Sequence, residues 1–330
     1  MINVAEILEF FRPDSNHKNG ESIIPKSIGD YFNTKKDLNL LEVGRVVKIL
    51  TNLGLLIPSG SKGGSSPMLG DAYYCFAYDD FSAKYGTYNY LVYGFPSIRN
   101  DFEKSVKPII LKYRNSEDEL IDDIGTCFVI GENALITARH CLPNKSTAKI
   151  YGANNELIKA AAIFTPKDPN VDLALMLTNG NPFSNIKQFR LGNGNILDEV
   201  MTMGYPPIPG FDAIQVSEIA RISAHLKSSL GNIVGTGNSY LDKQDYFLIS
   251  ARVKGGNSGG PFINKEGKVV GVIAQLPSQS NELDSLGYGI VTLSSALIEL
   301  ANSIKSNQEK IDFIPFENRQ DGIWIKDVRS

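Results

Sequence analysis

Apolar residues recur at helical spacing three times in the first half of the chain. Val4, Ile7, Leu8 and Phe11 line one face of a helix that Pro13 stops, and Ile23, Ile28 and Phe32 suggest a second, short one. The third lies in NLLEVGRVVKILTNLGLL, where Leu41, Val43, Val46, Val47, Leu50 and Leu53 give a broad buried face and Glu42, Arg45, Lys48 and Asn52 point elsewhere. Gly54 is placed to end it. A strand, a Gly- and Ser-rich loop from Ser59 to Gly70 and two aromatic strand-like runs are expected next. From Ile124 onward the pattern changes: short β-branched segments alternate with Gly, Asn and Pro turns, as in an all-β sandwich or barrel. Helical periodicity returns only in SSALIELANSIKSN, from Ser294 to Asn307.

These patterns divide the chain. Three helices followed by a β-hairpin resemble a winged-helix domain, so residues 1–105 are read as a small α+β winged-helix-like domain. Residues 106–307 form the β-rich part, and 308–330 an aromatic tail that packs across a domain or docks to a partner. A polar run, Arg114 to Asp123, separates the two halves. The tyrosines between Tyr73 and Tyr93 are read as core strand residues, with a partner-binding face as the alternative.

Composition narrows the function classes. Among 330 residues, 33 Lys and Arg against 36 Asp and Glu leave a net charge of −3, so no global positive field draws the molecule to nucleic acid or an acidic membrane. Up to Ser105 there are 11 basic and 12 acidic residues, whereas neutralised phosphates supply most of a DNA-binding module's affinity. Nucleic acid is therefore a less favoured partner for this half than a regulatory protein. Three Cys residues are too few, and odd in number, for a disulfide framework, which points to a reducing compartment. The N-terminus reads as no signal peptide and no stretch of about 18 apolar residues exists, so a cytoplasmic protein without a membrane partner is expected.

Three segments of the second half carry chemistry. GTCFVIGENALITARHCL contains His140, VDLALMLT opens with Asp172 after Val171, and GGNSGGPFIN places Ser258 among glycines before another strand. Acyl transfer by a serine needs a base for the hydroxyl proton, a carboxylate to hold that base in one tautomer, and donors aimed at the developing oxyanion. His140, Asp172 and Ser258 offer one of each. Glycines allow the tight turn that points the N–H groups of Gly256 and Ser258 into one hole. Taken singly, each residue has an ordinary structural reading as a turn, cap or loop residue. Their chain order and local contexts argue for the chemical one. Asp168 precedes Pro169 in a turn without the following L-A-L strand, and His17 and His225 have no comparable context.

TARHC, VDLALM and GGNSGGP together resemble the corresponding blocks of trypsin-like serine proteases of the chymotrypsin fold. Arg139 stands where the family has a small residue. Asn257 before the serine makes the chain more similar to the HtrA-like, bacterial branch. The resemblance covers roughly Pro108 to Asn307 and implies a mainly β fold with two six-stranded barrels. In it Ser258 is the nucleophile, His140 the general base and then acid, Asp172 the orienting carboxylate, and Gly256 and Ser258 the oxyanion hole. By the same alignment Arg252 falls near the base of the S1 pocket, where it would favour an acidic P1 residue, and Ala274, Gln275 and Leu276 form the opposite wall. Cys127 replaces a glycine of the opening strand, and with Cys141 it is expected to stay a thiol in the core. The implied activity is an intracellular serine endopeptidase acting on protein or peptide, without cofactor or metal and restrained or targeted by its N-terminal domain. The alternative is a DNA- or protein-binding sensor that keeps the protease fold as a scaffold.

Overall fold

The structure, a computed structural model, describes residues 2–13, 22–35, 38–63, 67–114, 120–142, 147–150, 158, 160–166, 168, 171–206, 226–238, 245–253, 255–274, 289–305, 311–314, 316–319 and 322–325. It divides into two compact units, Met1–Ser97 and Ile98–Ser330.

The first unit is assembled from short, well-capped helices. α1 (Val4–Phe10) is capped by the Asn3 side chain. β1 (Lys26–Ser27) runs into α2 (Ile28–Thr34), whose start is a capping box: Asp30 N–H donates to Ser27 Oγ at 3.1 Å, and Ser27 N–H to Asp30 Oδ2 at 2.8 Å. α3 (Leu40–Asn52) begins on the Asn39 cap and ends at Gly54, which has φ +71°. β2 (Ile57–Ser61), α4 (Pro67–Gly70) and β3 (Asp71–Tyr74) follow, and the three strands pair antiparallel in the order β1-β3-β2. Val4, Ile7, Leu8, Phe11, Ile28, Val43, Val46, Val47 and Leu50 form the core.

Two details depart from the periodicity. Leu41 is 75% exposed because it lies across the helix from the Val43, Val46, Val47 and Leu50 stripe, and Leu53 falls at the exposed C-cap. Of the aromatic runs only the first is a strand. The second forms α5 (Asp80–Tyr85) and α6 (Thr87–Tyr93), because Asp79 caps the N–H groups of Phe81 and Ser82 and Gly86, at φ +94°, turns the chain between the helices. Tyr85, Tyr88 and Tyr90 are buried there as helical, not strand, residues. α7 (Phe95–Phe102) comes next, and the division between the units falls within it.

The second unit is built from strands. β4 (Val106–Arg114), β5 (Leu120–Gly131), β6 (Ala134–Thr137), β7 (Thr147–Lys149), β8 (Ala160–Pro166) and β9 (Ala174–Thr178) pair in the order β8-β9-β6-β5-β4-β7. β4 and β5 are paired from Val106 with Phe128 to Arg114 with Leu120. The described ends of the polar run 114–123 are therefore the two arms of a hairpin, not a connection between domains. β10 (Glu199–Gly204), β11 (Lys227–Asn238), β12 (Asp245–Ile249), β13 (Pro261–Asn264), β14 (Val269–Ile273) and β15 (Gly289–Leu293) close into a six-stranded barrel, followed by α8 (Ser294–Lys305).

The first six strands do not close edge to edge among the described residues. Their sheet continues into the C-terminal tail: β16 (Ile311–Ile314) pairs with β8, while β18 (Gly322–Ile325), itself paired with β17 (Phe316–Arg319), pairs with β7. The tail thus satisfies backbone groups that an open edge would leave unpaired. Among the described residues these nine strands form one sheet in the order β16-β8-β9-β6-β5-β4-β7-β18-β17.

Candidate active site

β6 carries Leu135, Ile136 and Thr137 into the core and stops at Ala138, after which a one-turn 3₁₀ helix, Arg139–Cys141, presents His140. The turn is held by Cys141 N–H on Ala138 O at 3.1 Å and Leu142 N–H on Arg139 O at 2.9 Å. Asp172 sits just before β9, its neighbours Val171 and Leu173 buried, so its carboxylate emerges at the end of an apolar strand. Both its oxygens are used by one residue. His140 Nδ1 lies 2.6 Å from Asp172 Oδ2, and the His140 backbone N–H donates to Oδ1 at 2.9 Å. A carboxylate beside Nδ1 keeps a proton on that nitrogen and leaves Nε2 as the reactive atom. Burial alone lowers the imidazolium pKa, but the hydrogen bond to Asp172, with a smaller contribution from Cys141, outweighs it and raises the pKa to about 10.

The serine lies in the turn that leads into β13. Gly256 and Gly259 have φ +85° and +81°, a region that residues with a Cβ rarely adopt. At Gly259 the space is closed as well: a Cβ would fall 2.2 Å from Thr126 O and 2.3 Å from Thr137 Oγ1. The turn is tied to β14 by Gly259 N–H on Ile273 O at 2.8 Å and Ile273 N–H on Gly260 O at 3.0 Å. Ser258 O accepts the Thr126 N–H at 2.9 Å and the Cys141 thiol at 3.3 Å. That thiol is also 3.8 Å from His140 Nε2. One sulfur therefore borders both the His140 imidazole and the Ser258 carbonyl. A Cβ on Gly125 would lie 2.9 Å from the same sulfur, so the bare glycine makes room for the thiol. Cys75, Cys127 and Cys141 are all free thiols and buried, and burial pushes the Cys127 thiol pKa well above its ordinary value.

The remaining predicted residues fall in different places. Arg252 is exposed between Ala251, buried in the barrel core, and Val253, packed against that core; its N–H donates to Ser229 Oγ at 3.1 Å. Ala274 is buried just beyond β14, with its N–H on Ile290 O at 3.2 Å. Asp168 lies in the turn before Val171, whose N–H donates to its carbonyl at 3.2 Å. Gln275, Leu276, Lys254, His17 and His225 lie outside the described residues. Among the described residues no group of three or more His, Cys, Asp or Glu side chains is placed to hold a metal ion. No described helix is long and apolar enough to cross a membrane. Reading the sequence missed Thr126, which bonds the serine turn, and Tyr205, whose N–H donates to Thr126 Oγ1. The one local signal was the polar residue set between Gly125 and Cys127.

A six-stranded barrel beside a second β-sheet, with a carboxylate-held histidine and a serine in a glycine turn, defines a chymotrypsin-like protease domain. Residues 125–272 match the trypsin-like peptidase domain family. HtrA-type proteases are among its relatives. The chain is 30% identical over 176 residues to Protease Do-like 2, chloroplastic, of Arabidopsis thaliana, covering 51% of this chain and 26% of that protein. It is 27% identical over 177 residues to the Serine protease HtrA-like of Staphylococcus aureus (strain USA300), covering 51% and 22%. The matched part thus spans about a quarter of the length of these curated relatives. Among solved structures, an inactive-form serine variant of Rv3671c from M. tuberculosis H37Rv is similar at TM-score 0.44 and 20% identity, over 64% of this chain and 91% of that one. The HtrA-type protease AlgW with a tripeptide is similar at TM-score 0.46 and 17% identity, over 63% and 62%.

Proposed function

We propose that the chain is a serine endopeptidase. The observation that carries this reading is the 2.6 Å bond between His140 Nδ1 and Asp172 Oδ2, with the Ser258 turn touching the same Cys141 sulfur as the imidazole. In the reaction, His140 Nε2 takes the Ser258 hydroxyl proton as Oγ attacks the scissile carbonyl carbon. The carbonyl oxygen becomes an oxyanion and is met by the N–H groups of Gly256 and Ser258. Asp172 stabilises the imidazolium, which returns its proton to the departing amine; a water, deprotonated by the same nitrogen, then releases the acyl group and restores Ser258.

Substrate is a protein or peptide. Arg252, with both flanking side chains turned into the barrel core, is the candidate for meeting an acidic P1 side chain, and Ala274, Gln275 and Leu276 are the candidates for pairing with the substrate strand. The N-terminal unit is read as a winged-helix-like regulatory domain, supported by its order α1-β1-α2-α3-β2-α4-β3, in which the short α4 joins the two hairpin strands, and its sheet order β1-β3-β2. Its near-balanced charge favours a protein partner over nucleic acid. Three cysteines held as buried thiols suit a reducing, cytoplasmic setting.

The test is labelling with a fluorophosphonate probe. Wild-type protein is expected to label at Ser258, and Ser258→Ala and His140→Ala to lose the label. Undiminished labelling of Ser258→Ala would place the reactive nucleophile elsewhere and defeat the reading.

A further inference from the structure

Two carbonyls of the serine turn end on one residue of a strand in the other sheet. Thr126, fully buried in β5, has its Oγ1 at 3.1 Å from the Tyr205 N–H donor and at 2.5 Å from Gly256 O. The hydroxyl accepts from the first, so its single proton is directed at the second. The Thr126 backbone N–H donates to Ser258 O at 2.9 Å, and the Thr126 carbonyl accepts the Thr137 hydroxyl at 2.7 Å. Every polar group of this residue therefore has a partner, and two of those partners are the carbonyls on either side of Asn257. The carbonyl between them, Asn257 O, accepts Gly260 N–H at 2.9 Å.

Peptide planarity turns these bonds into an orientation. In a trans peptide the N–H points opposite to its C=O, so fixing a carbonyl fixes the N–H that shares its plane. Asn257 O, held by Gly260, sends the Ser258 N–H away from the turn's interior. Gly256 at φ +85° has no Cβ to limit rotation of its carbonyl, and the Thr126 hydroxyl supplies the restraint that its side chain lacks. Neighbouring glycines leave space for this contact: a Cβ on Gly204 would lie 3.1 Å from Thr126 Oγ1, and one on Gly260 3.3 Å from Thr126 Cγ2.

We infer that Thr126 is a positioning residue for the oxyanion hole: its hydroxyl holds the Gly256–Asn257 peptide, the plane between the two peptides that carry the Gly256 and Ser258 N–H groups, and so limits the rotations that would turn those groups away from the substrate carbonyl. The inference rests on the proteolytic reading above and adds a residue from the first sheet to a device otherwise built in the second.

Thr126→Val removes the hydroxyl while keeping the shape, and Thr126→Ser keeps the hydroxyl. On a p-nitrophenyl ester substrate, Thr126→Val is expected to lower kcat by about ten- to a hundredfold with KM little changed, and to slow fluorophosphonate labelling in proportion. Thr126→Ser is expected to restore both rates to near wild type. A lesion confined to packing would lower the melting temperature without this split or this rescue. If the valine variant does not fold, Thr126→Ala against Thr126→Ser carries the test, and equal rates for the two overturn the inference. An active wild type with a valine variant of equal kcat also overturns it and leaves the proteolytic reading standing. A wild type that neither labels nor hydrolyses the ester overturns both.

Discussion

The histidine side and the serine side of the site are held by different means. His140 is oriented by one carboxylate, which takes both its ring Nδ1 and its backbone N–H. The Ser258 turn has no such single partner. It is a backbone object, shaped by two glycines at positive φ and tied by main-chain bonds to β14 and by Thr126 to β5. The difference separates chemistry from folding: the histidine side can lose its function with little harm to the fold, whereas most changes in the serine turn must disturb both.

The largest effect expected sharpens this comparison directly. Ser258→Ala removes the proposed nucleophile but no backbone bond, and kcat is expected to fall by about a millionfold with an unchanged melting temperature. A melting point lowered by many degrees would show that the hydroxyl also holds the turn. Asp172→Asn tests the other side. The amide keeps the size but not the tautomer-setting charge, so a loss of about 10⁴ in kcat is expected, again with a folded protein by circular dichroism. A hundredfold loss or less would mean that the ring is oriented by something besides this carboxylate.

Gly259→Ala is expected to break the pattern of these two. Its Cβ has nowhere to go against Thr126 O and Thr137 Oγ1, and φ +81° is strained for alanine, so about 2–4 kcal/mol of stability should be lost together with labelling. Denaturant unfolding measures the first and probe labelling the second; loss of either alone would contradict a turn in which fold and chemistry are joined.

The smallest effect concerns pH. Because His140 is raised from 6.5 to about 10, mainly by its hydrogen bond to Asp172 acting against burial, the neutral base forms only as pH rises above the ordinary histidine range. The acidic limb of kcat/KM should therefore lie above pH 6.5, towards 10. The same shift has a stability consequence of fixed sign: the imidazolium–carboxylate pair stabilises the fold fully below about pH 6.5 and its contribution fades as pH passes through about 10. An NMR titration of the His140 ring that gives a midpoint at or below 6.5 would contradict both statements.

Much of the candidate site was legible in the sequence because each of its parts sits in a short local pattern. TARHC marks the end of a strand, VDLALM marks a buried strand behind an acidic residue, and GGNSGGP marks a turn that only glycine permits. Helices α1, α2 and α3 were legible for a similar reason, since apolar spacing and the caps at Asn3, Ser27 and Asn39 act within a few residues. The aromatic run from Asp80 to Tyr93 was not, because alternation of tyrosines suggested strands, while the cap at Asp79 and the positive φ at Gly86 made helices.

What the sequence by itself determined, then, is most of the local elements and the candidate residues they carry: the capped helices α1 to α3 in the first unit, and a histidine, an aspartate and a serine each at the end of a strand or turn in the second. Tertiary structure decided the long-range partners. It joined the C-terminal strands β16 and β18 to β8 and β7, set the Cys141 sulfur between imidazole and serine, and brought the Thr126 hydroxyl to Gly256, 130 positions along the chain. The reason is physical. Helix caps and glycine turns are satisfied by neighbours in sequence, whereas strand edges, buried hydroxyls and close backbone approaches are satisfied only by whatever the completed sheet and barrel bring alongside.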